Sequence, residues 1–190
     1  YSTHPYKRKV IGTSDIIGTI RREEILDYFN SYYAPSNMVT LVAGDVDTQD
    51  AVAKIQQCFN QEYRKPVKKN FRKEASLQTQ KRKIDYTDTQ SGYMMIGFRG
   101  VNITNKETFA LDVLAEVLGG GKSSKLYRDI KEQKGLAYSI SASNGSFRDD
   151  GIFYITANFT PSSQEKLEKA IFEEIKYIQK YGITDEELLR

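Results

Sequence analysis

The run "VLGGGKSSKLYRDIKEQKGLAY" at residues 117–138 gathers glycine, lysine, serine and tyrosine in one short stretch, a set that serves either phosphate binding or a tight turn. A phosphate-binding loop reads G-x-x-x-x-G-K-[ST] between a strand and a helix, because its backbone N–H groups must wrap the phosphates. Gly121, Lys122 and Ser123 supply the last three positions, but Glu116 stands where the first glycine is required. Phe109, Val113 and Val117, with Leu114 and Leu118, recur at helical spacing, so a helix and not a strand runs into the glycines. Gly119, Gly120 and Gly121 then read as a helix end and a reversal that needs positive φ. Ser123 or Ser124 is the expected cap of the following helix. The nucleotide reading is rejected, and Lys122 and Ser123 are turn and cap residues.

Few other residues carry chemistry. His4 is the only histidine and Cys58 the only cysteine. A structural zinc site needs four Cys or His ligands, and a catalytic one two His and a carboxylate, so this chain builds neither alone. A single cysteine excludes an internal disulfide, and the helical spacing of Val52, Ile55 and Phe59 around Cys58 predicts a buried thiol. His4 precedes Pro5, which favours an extended start, and takes a turn or packing role.

The net charge of +3 is too small to imply nucleic acid. Lys7, Arg8 and Lys9, and the basic run over 64–73, lack an aromatic recognition motif and read as solvated linkers. No apolar run approaches the ~20 residues of a membrane span. The hydrophobic and charged fractions, 39% and 28%, are those of an ordinary globular chain, so the burden falls on the elements.

Ile25, Tyr28, Phe29, Tyr32 and Tyr33 form an apolar stripe on a helix over 21–33, ended by Pro35. "NMVTLVAGDVD" predicts a buried strand at 38–43, and Asp47 or Thr48 caps a helix to about residue 59. Residues 60–83 are charged, contain Pro66, and read as a linker. Strands at 84–88 and 93–98 come next, then a helix at 106–118, the glycine turn and a second helix at 124–133. Leu136, Tyr138 and Ile140 alternate on one strand of a hairpin, 152–159 forms the other, and residues 148–151 supply the turn. A long helix starts at Pro161 and Ser162, buries Leu167, Ala170, Ile171, Ile175 and Ile178, and stops at Gly182. Thr184 and Glu187 form a capping box for one more helix. Hairpin-linked strands with helices grouped between them predict an α+β fold, a largely antiparallel sheet with helices on one face.

Two stretches together resemble one family. Residues 4–47, "HPYKRKVIGTSDIIGTIRREEILDYFNSYYAPSNMVTLVAGDVD", are similar to the end of the first domain of the pitrilysin, insulinase and mitochondrial processing peptidase family of zinc metallopeptidases. Residues 117–143 are similar to a characteristic stretch of that family's second domain. The resemblance implies a half-molecule of two related α+β domains, with two halves closing around a peptide-holding chamber. It divides this chain into 1–59, the end of the first domain, a linker at 60–83, and 84–190, most of a second and non-catalytic domain. It also implies a catalytic H-x-x-E-H helix ahead of Tyr1, with zinc in the parent or partner half and none in this portion.

In the second domain of many members an Arg and a Tyr, seven residues apart, bond the substrate backbone. Here that pair falls on Lys131 and Tyr138 in "KEQKGLAY". Tyr138 matches; Lys131 keeps the charge but loses the planar fork of Arg. The plain alternatives are a helix-end lysine favoured by the helix dipole and a tyrosine packed on its sheet. The expected function is the non-catalytic portion of a zinc-dependent metalloendopeptidase, forming chamber wall and contacts to a peptide substrate. The alternative is a portion of a catalytically inactive partner subunit that binds substrate or scaffolds an assembly. Expected partners are the peptide, the catalytic domain or second half-molecule, and a second copy of this chain at an open sheet edge. The N-terminal helix, strand and helix are the candidate segment for completing that edge, in the same chain or a neighbouring one.

Overall fold

The computed structural model describes residues 1–59 and 71–189. The chain divides into two compact units, Tyr1–Glu74 and Ala75–Arg190. The expected linker falls partly on residues 60–70, which lie outside the described residues, while 71–83 carry no helix or strand.

The first unit is helical. After a 3-10 turn at Pro5–Lys7 come α1 (Ser14–Thr19), α2 (Arg22–Tyr32), a second 3-10 turn at Pro35–Asn37, and α3 (Thr48–Cys58). At the start of each α-helix a side chain satisfies an orphan N–H. Thr13 Oγ1 accepts from Ile16 N, and Asp47 Oδ1 accepts from Asp50 N at 2.8 Å, as the sequence predicts for α3. At α2, Glu24 folds back so that Arg21 N donates to its carboxylate at 2.9 Å.

Two expectations for this unit do not hold. Residues 38–43 form no strand, with Val39 98% and Leu41 90% exposed. Their β-branched sequence suits a strand, yet a strand exists only with a partner to take its N–H and C=O groups, and none is present among the described residues. For the same reason the aromatic stripe of α2 is uncovered, its rings meeting along the helix as Tyr28–Tyr32 and Phe29–Tyr33. Cys58, expected to be buried, is exposed because nothing among the described residues covers that face of α3.

His4 takes the packing role. It is buried against Tyr1, Tyr6 and Phe71, and its Nδ1 accepts from Tyr6 N at 3.3 Å. The Glu74 carboxylate gathers the N–H groups of Ser2, Thr3 and His4 and the Thr3 hydroxyl. Those donors, His4 N first, hold the Glu74 carboxyl well below the usual carboxylate range against a smaller opposing effect of desolvation.

The second unit is built on an antiparallel sheet in the order β1 (Gly92–Gly100), β3 (Gly151–Phe159), β2 (Ser139–Ser146). Ile155 faces Ile96 on one side and Ala142 on the other. In β3 the alternation is regular: Phe153, Ile155, Ala157 and Phe159 are buried, and Ile152, Tyr154, Thr156 and Asn158 lie on the other face. The buried face packs on α4 (Glu107–Gly119), a π-helix (Leu126–Gln133) and α5 (Gln164–Tyr181). Leu126, Ile130, Leu167 and Ile171 join Ile155 at the centre of this core, each fully buried and each worth about 1.5–3 kcal/mol of apolar transfer. This is the α+β arrangement with helices on one face that the sequence predicts.

Details differ. Residues 84–88 join no strand among the described residues, and Ile84 and Tyr86 are exposed. Phe109 is 71% exposed and Val113 is exposed too, so of the two apolar rows of α4 the core takes the one with Leu111, Leu114, Ala115 and Leu118. Gly182 ends α5 with φ of +75°. The capping box forms at α6 (Asp185–Leu188), where Glu187 Oε2 accepts from Thr184 N at 3.0 Å and Thr184 Oγ1 from Glu187 N at 3.3 Å.

Candidate functional site

The glycine turn is a packing device. A Cβ on Gly119 would lie 2.1 Å from Ala142 N and 2.7 Å from Ser141 C, so the end of α4 comes against the β2 backbone as only glycine allows. Gly121, at φ of +149°, supplies the positive φ of the reversal. The element ahead of the turn is the helix α4, so the turn lacks the strand-to-helix frame of a phosphate loop. Ser124 does not cap an N–H as expected; its hydroxyl donates to Gly121 O at 2.6 Å and ties the turn to itself.

Beyond the turn the chain forms a π-helix instead of the expected α-helix. It buries Leu126 and Ile130 and leaves Tyr127 and Lys131 half-buried at its surface. Lys131 Nζ sits 4.4 Å from the centroid of the Tyr127 ring, a cation–π contact. The helix closes through Gly135 N donating to Lys131 O at 3.1 Å and Leu136 N donating to Ile130 O at 3.0 Å, with Gly135 at φ of +61°.

Tyr138 lies on the other arm of this turn. Its N–H donates to Asn158 O at 2.7 Å, while Ser139 is the ladder partner of Asn158. Two residues thus face one, a bulge-like offset that breaks the alternation. Ala137 and Ile140 are buried in the core, whereas Tyr138 is 59% exposed and not packed on the sheet as Ile140 is. The Tyr138 hydroxyl pairs with Thr160 Oγ1 at 2.7 Å. Lys131 and Tyr138 therefore flank one tight turn, the ammonium half-buried over Tyr127 and the phenol exposed. A cation and a phenol presented in this way can make polar contacts through the ammonium and the hydroxyl.

Sequence reasoning misses a third residue, Lys125, at the start of the π-helix and only 7% exposed. Its Nζ lies 2.6 Å from Glu187 Oε1 on α6 and 4.8 Å from the Tyr177 ring centroid on α5. Burial pushes the Glu187 carboxyl up, but the Lys125 hydrogen bond and the Thr184 N–H outweigh it and the net shift is downward. Nearby Glu174 goes the other way: burial first, then the charge of Asp129, raise it against Lys125, Lys134 and Arg128. Nothing in the local sequence marks Lys125 as buried, because its partners are remote along the chain. The capping box does mark Glu187.

Among the described residues, no group of three or more His, Cys, Asp or Glu could hold a metal ion, and His4 is buried against the rings of Tyr1, Tyr6 and Phe71. Also among them, no helix is long and apolar enough to cross a membrane.

The same architecture is found in solved peptidases. A protease from Helicobacter pylori superposes with a TM-score of 0.80 at 27% identity, over 98% of this chain and 46% of that one. A peptidase M16 inactive domain from Pseudomonas fluorescens superposes with a TM-score of 0.85 at 21% identity, over 98% and 45%. The fold is that of a metallopeptidase half-molecule domain. Residues 19–190 match the family described as the peptidase M16 inactive domain, and the chain belongs to that family. Among curated relatives, the uncharacterized zinc protease YmxG of Bacillus subtilis is 28% identical over 190 residues, 99% of this chain and 45% of the relative. An uncharacterized zinc protease of Mycobacterium leprae is 30% identical over 195 residues, 98% and 43%. The chain spans less than half the length of these relatives.

Proposed function

We propose that this chain is the non-catalytic portion of a zinc-dependent metalloendopeptidase, where it forms part of the wall of a peptide-holding chamber and binds the substrate backbone through Tyr138 and Lys131. The observation that carries this reading is the exposed Tyr138, turned out of the β2 alternation by the offset at Asn158 and anchored at its hydroxyl by Thr160. A tyrosine held only for packing would follow Ile140 into the core.

Zinc and the general base belong to the catalytic half, which supplies the activated water. This chain contributes binding and orientation: the phenol donates to or accepts from a peptide group, and the Lys131 ammonium draws on a carbonyl or neutralises a carboxylate. Holding an extended peptide in register places its scissile bond, and that is a rate contribution without any group transfer here.

The test is steady-state cleavage of an unstructured peptide by the parent polypeptide carrying Tyr138→Phe or Lys131→Ala. Loss of one hydrogen bond of about 0.5–1.5 kcal/mol lowers kcat/KM by about 2–10-fold for Tyr138→Phe. Unchanged kcat/KM in both variants sinks the substrate-contact reading. A parent that binds the peptide through Tyr138 yet never cleaves it supports the inactive-subunit alternative instead.

A further inference from the structure

We propose that Lys125 is a positioning residue for the turn that carries Lys131 and Tyr138, acting through the π-helix it begins; the proposal rests on the substrate-contact reading. Lys125 is buried, its ammonium faces Glu187 at 2.6 Å, and Tyr177 covers it at 4.8 Å. Glu187 has no freedom to follow, since its other oxygen is held by Thr184 N. A buried ion pair adds little stability over a well-packed apolar pair, but it is directional and fixes one relative position of the elements it joins.

What it fixes here is the start of a π-helix, a widened helix that is rare and concentrated at functional sites. The phase of such a helix decides where its last residues point. Leu126 and Ile130 are locked in the core, and at the far end Ile130 O and Lys131 O receive Leu136 N and Gly135 N. From there the chain reaches Tyr138, whose N–H meets Asn158. An unbroken run of hydrogen bonds and buried side chains thus leads from Glu187 to the exposed phenol. Releasing Lys125 lets the helix relax toward α geometry, and the turn must then move.

Lys125→Met alone strands the Glu187 charge without its partner and can unfold the unit. The informative variant is Lys125→Met/Glu187→Gln, which removes both charges while glutamine keeps the capping box. In the parent polypeptide we expect this double variant to melt within about 5 °C of the wild type, a shift of order 1 kcal/mol. Its KM for an unstructured peptide should rise about 3–10-fold, and the amides of residues 134–139 should exchange faster by a similar factor, on the scale of one to two hydrogen bonds. Lys125→Arg, which keeps the pair, should retain wild-type values for both. Wild-type exchange at residues 134–139 in the double variant overturns the proposal, as does equal loss in Lys125→Arg. Tyr138→Phe run in parallel separates the two ideas: if it leaves KM unchanged while the exchange still responds, the substrate contact is wrong and the positioning stands.

Discussion

Gly119→Ala is the substitution that most sharply separates a packing role of the glycine turn from any other. An added methyl would sit 2.1 Å from Ala142 N, 2.7 Å from Ser141 C and 2.9 Å from Ala142 Cβ. Reaching an ordinary contact of ~3.5 Å requires α4 and β2 to separate by about 1.4 Å at this point. Two of the three obstructing atoms are backbone of a paired strand, so no side-chain rotation relieves them. Overpacking costs about 1–3 kcal/mol, and backbone obstruction puts this case at the upper end. Alanine returns about 1 kcal/mol through its better helix propensity. The net is about 2 kcal/mol of destabilisation, or a melting temperature lower by about 8 °C for a unit of this size. Gly120→Ala is the matched control, because its methyl meets only the carboxylate end of Glu116, which can swing away. Circular dichroism melts of the two variants beside the wild type measure the difference. If Gly119→Ala melts at or above the wild type, the close approach of α4 to β2 is wrong.

The other predictions concern charge and exposure. The Glu174 carboxyl is raised in the folded state, so the stability its protonation confers is present below about pH 4 and is lost as pH rises through the raised value. Glu174→Gln should therefore raise the melting temperature at pH 7 and leave it unchanged near pH 4; a lower melting temperature at pH 7 would contradict the sign. Cys58 should react with a thiol reagent in the native chain at close to its rate in denaturant, and protection until unfolding would mean that the α3 face is covered.

Local signals suffice wherever one residue or one pattern decides an element. Asp47 caps α3, Thr184 and Glu187 form their box, Gly182 stops α5, and the alternation from Phe153 to Phe159 sets the buried face of β3. Sequence reasoning fails where a distant partner decides. Residues 38–43 and 84–88 have strand composition, but pairing is a property of two segments and not of one. The burial of Lys125 depends on Glu187 and Tyr177, and composition alone puts a lysine on the surface. At the candidate site, Lys131 and Tyr138 are picked out by resemblance. Their presentation comes only from the π-helix and the offset opposite Asn158, neither of which leaves a mark at the level of periodicity.

Substrate contact by this chain is tested most directly by a hydrogen-exchange footprint of the parent polypeptide with an extended peptide whose scissile bond is replaced by a non-hydrolysable one. Slowed exchange at residues 131–139 and 156–160, lost in Tyr138→Phe, is the expected result. Protection confined to other parts of the polypeptide, with these residues unchanged, would contradict it.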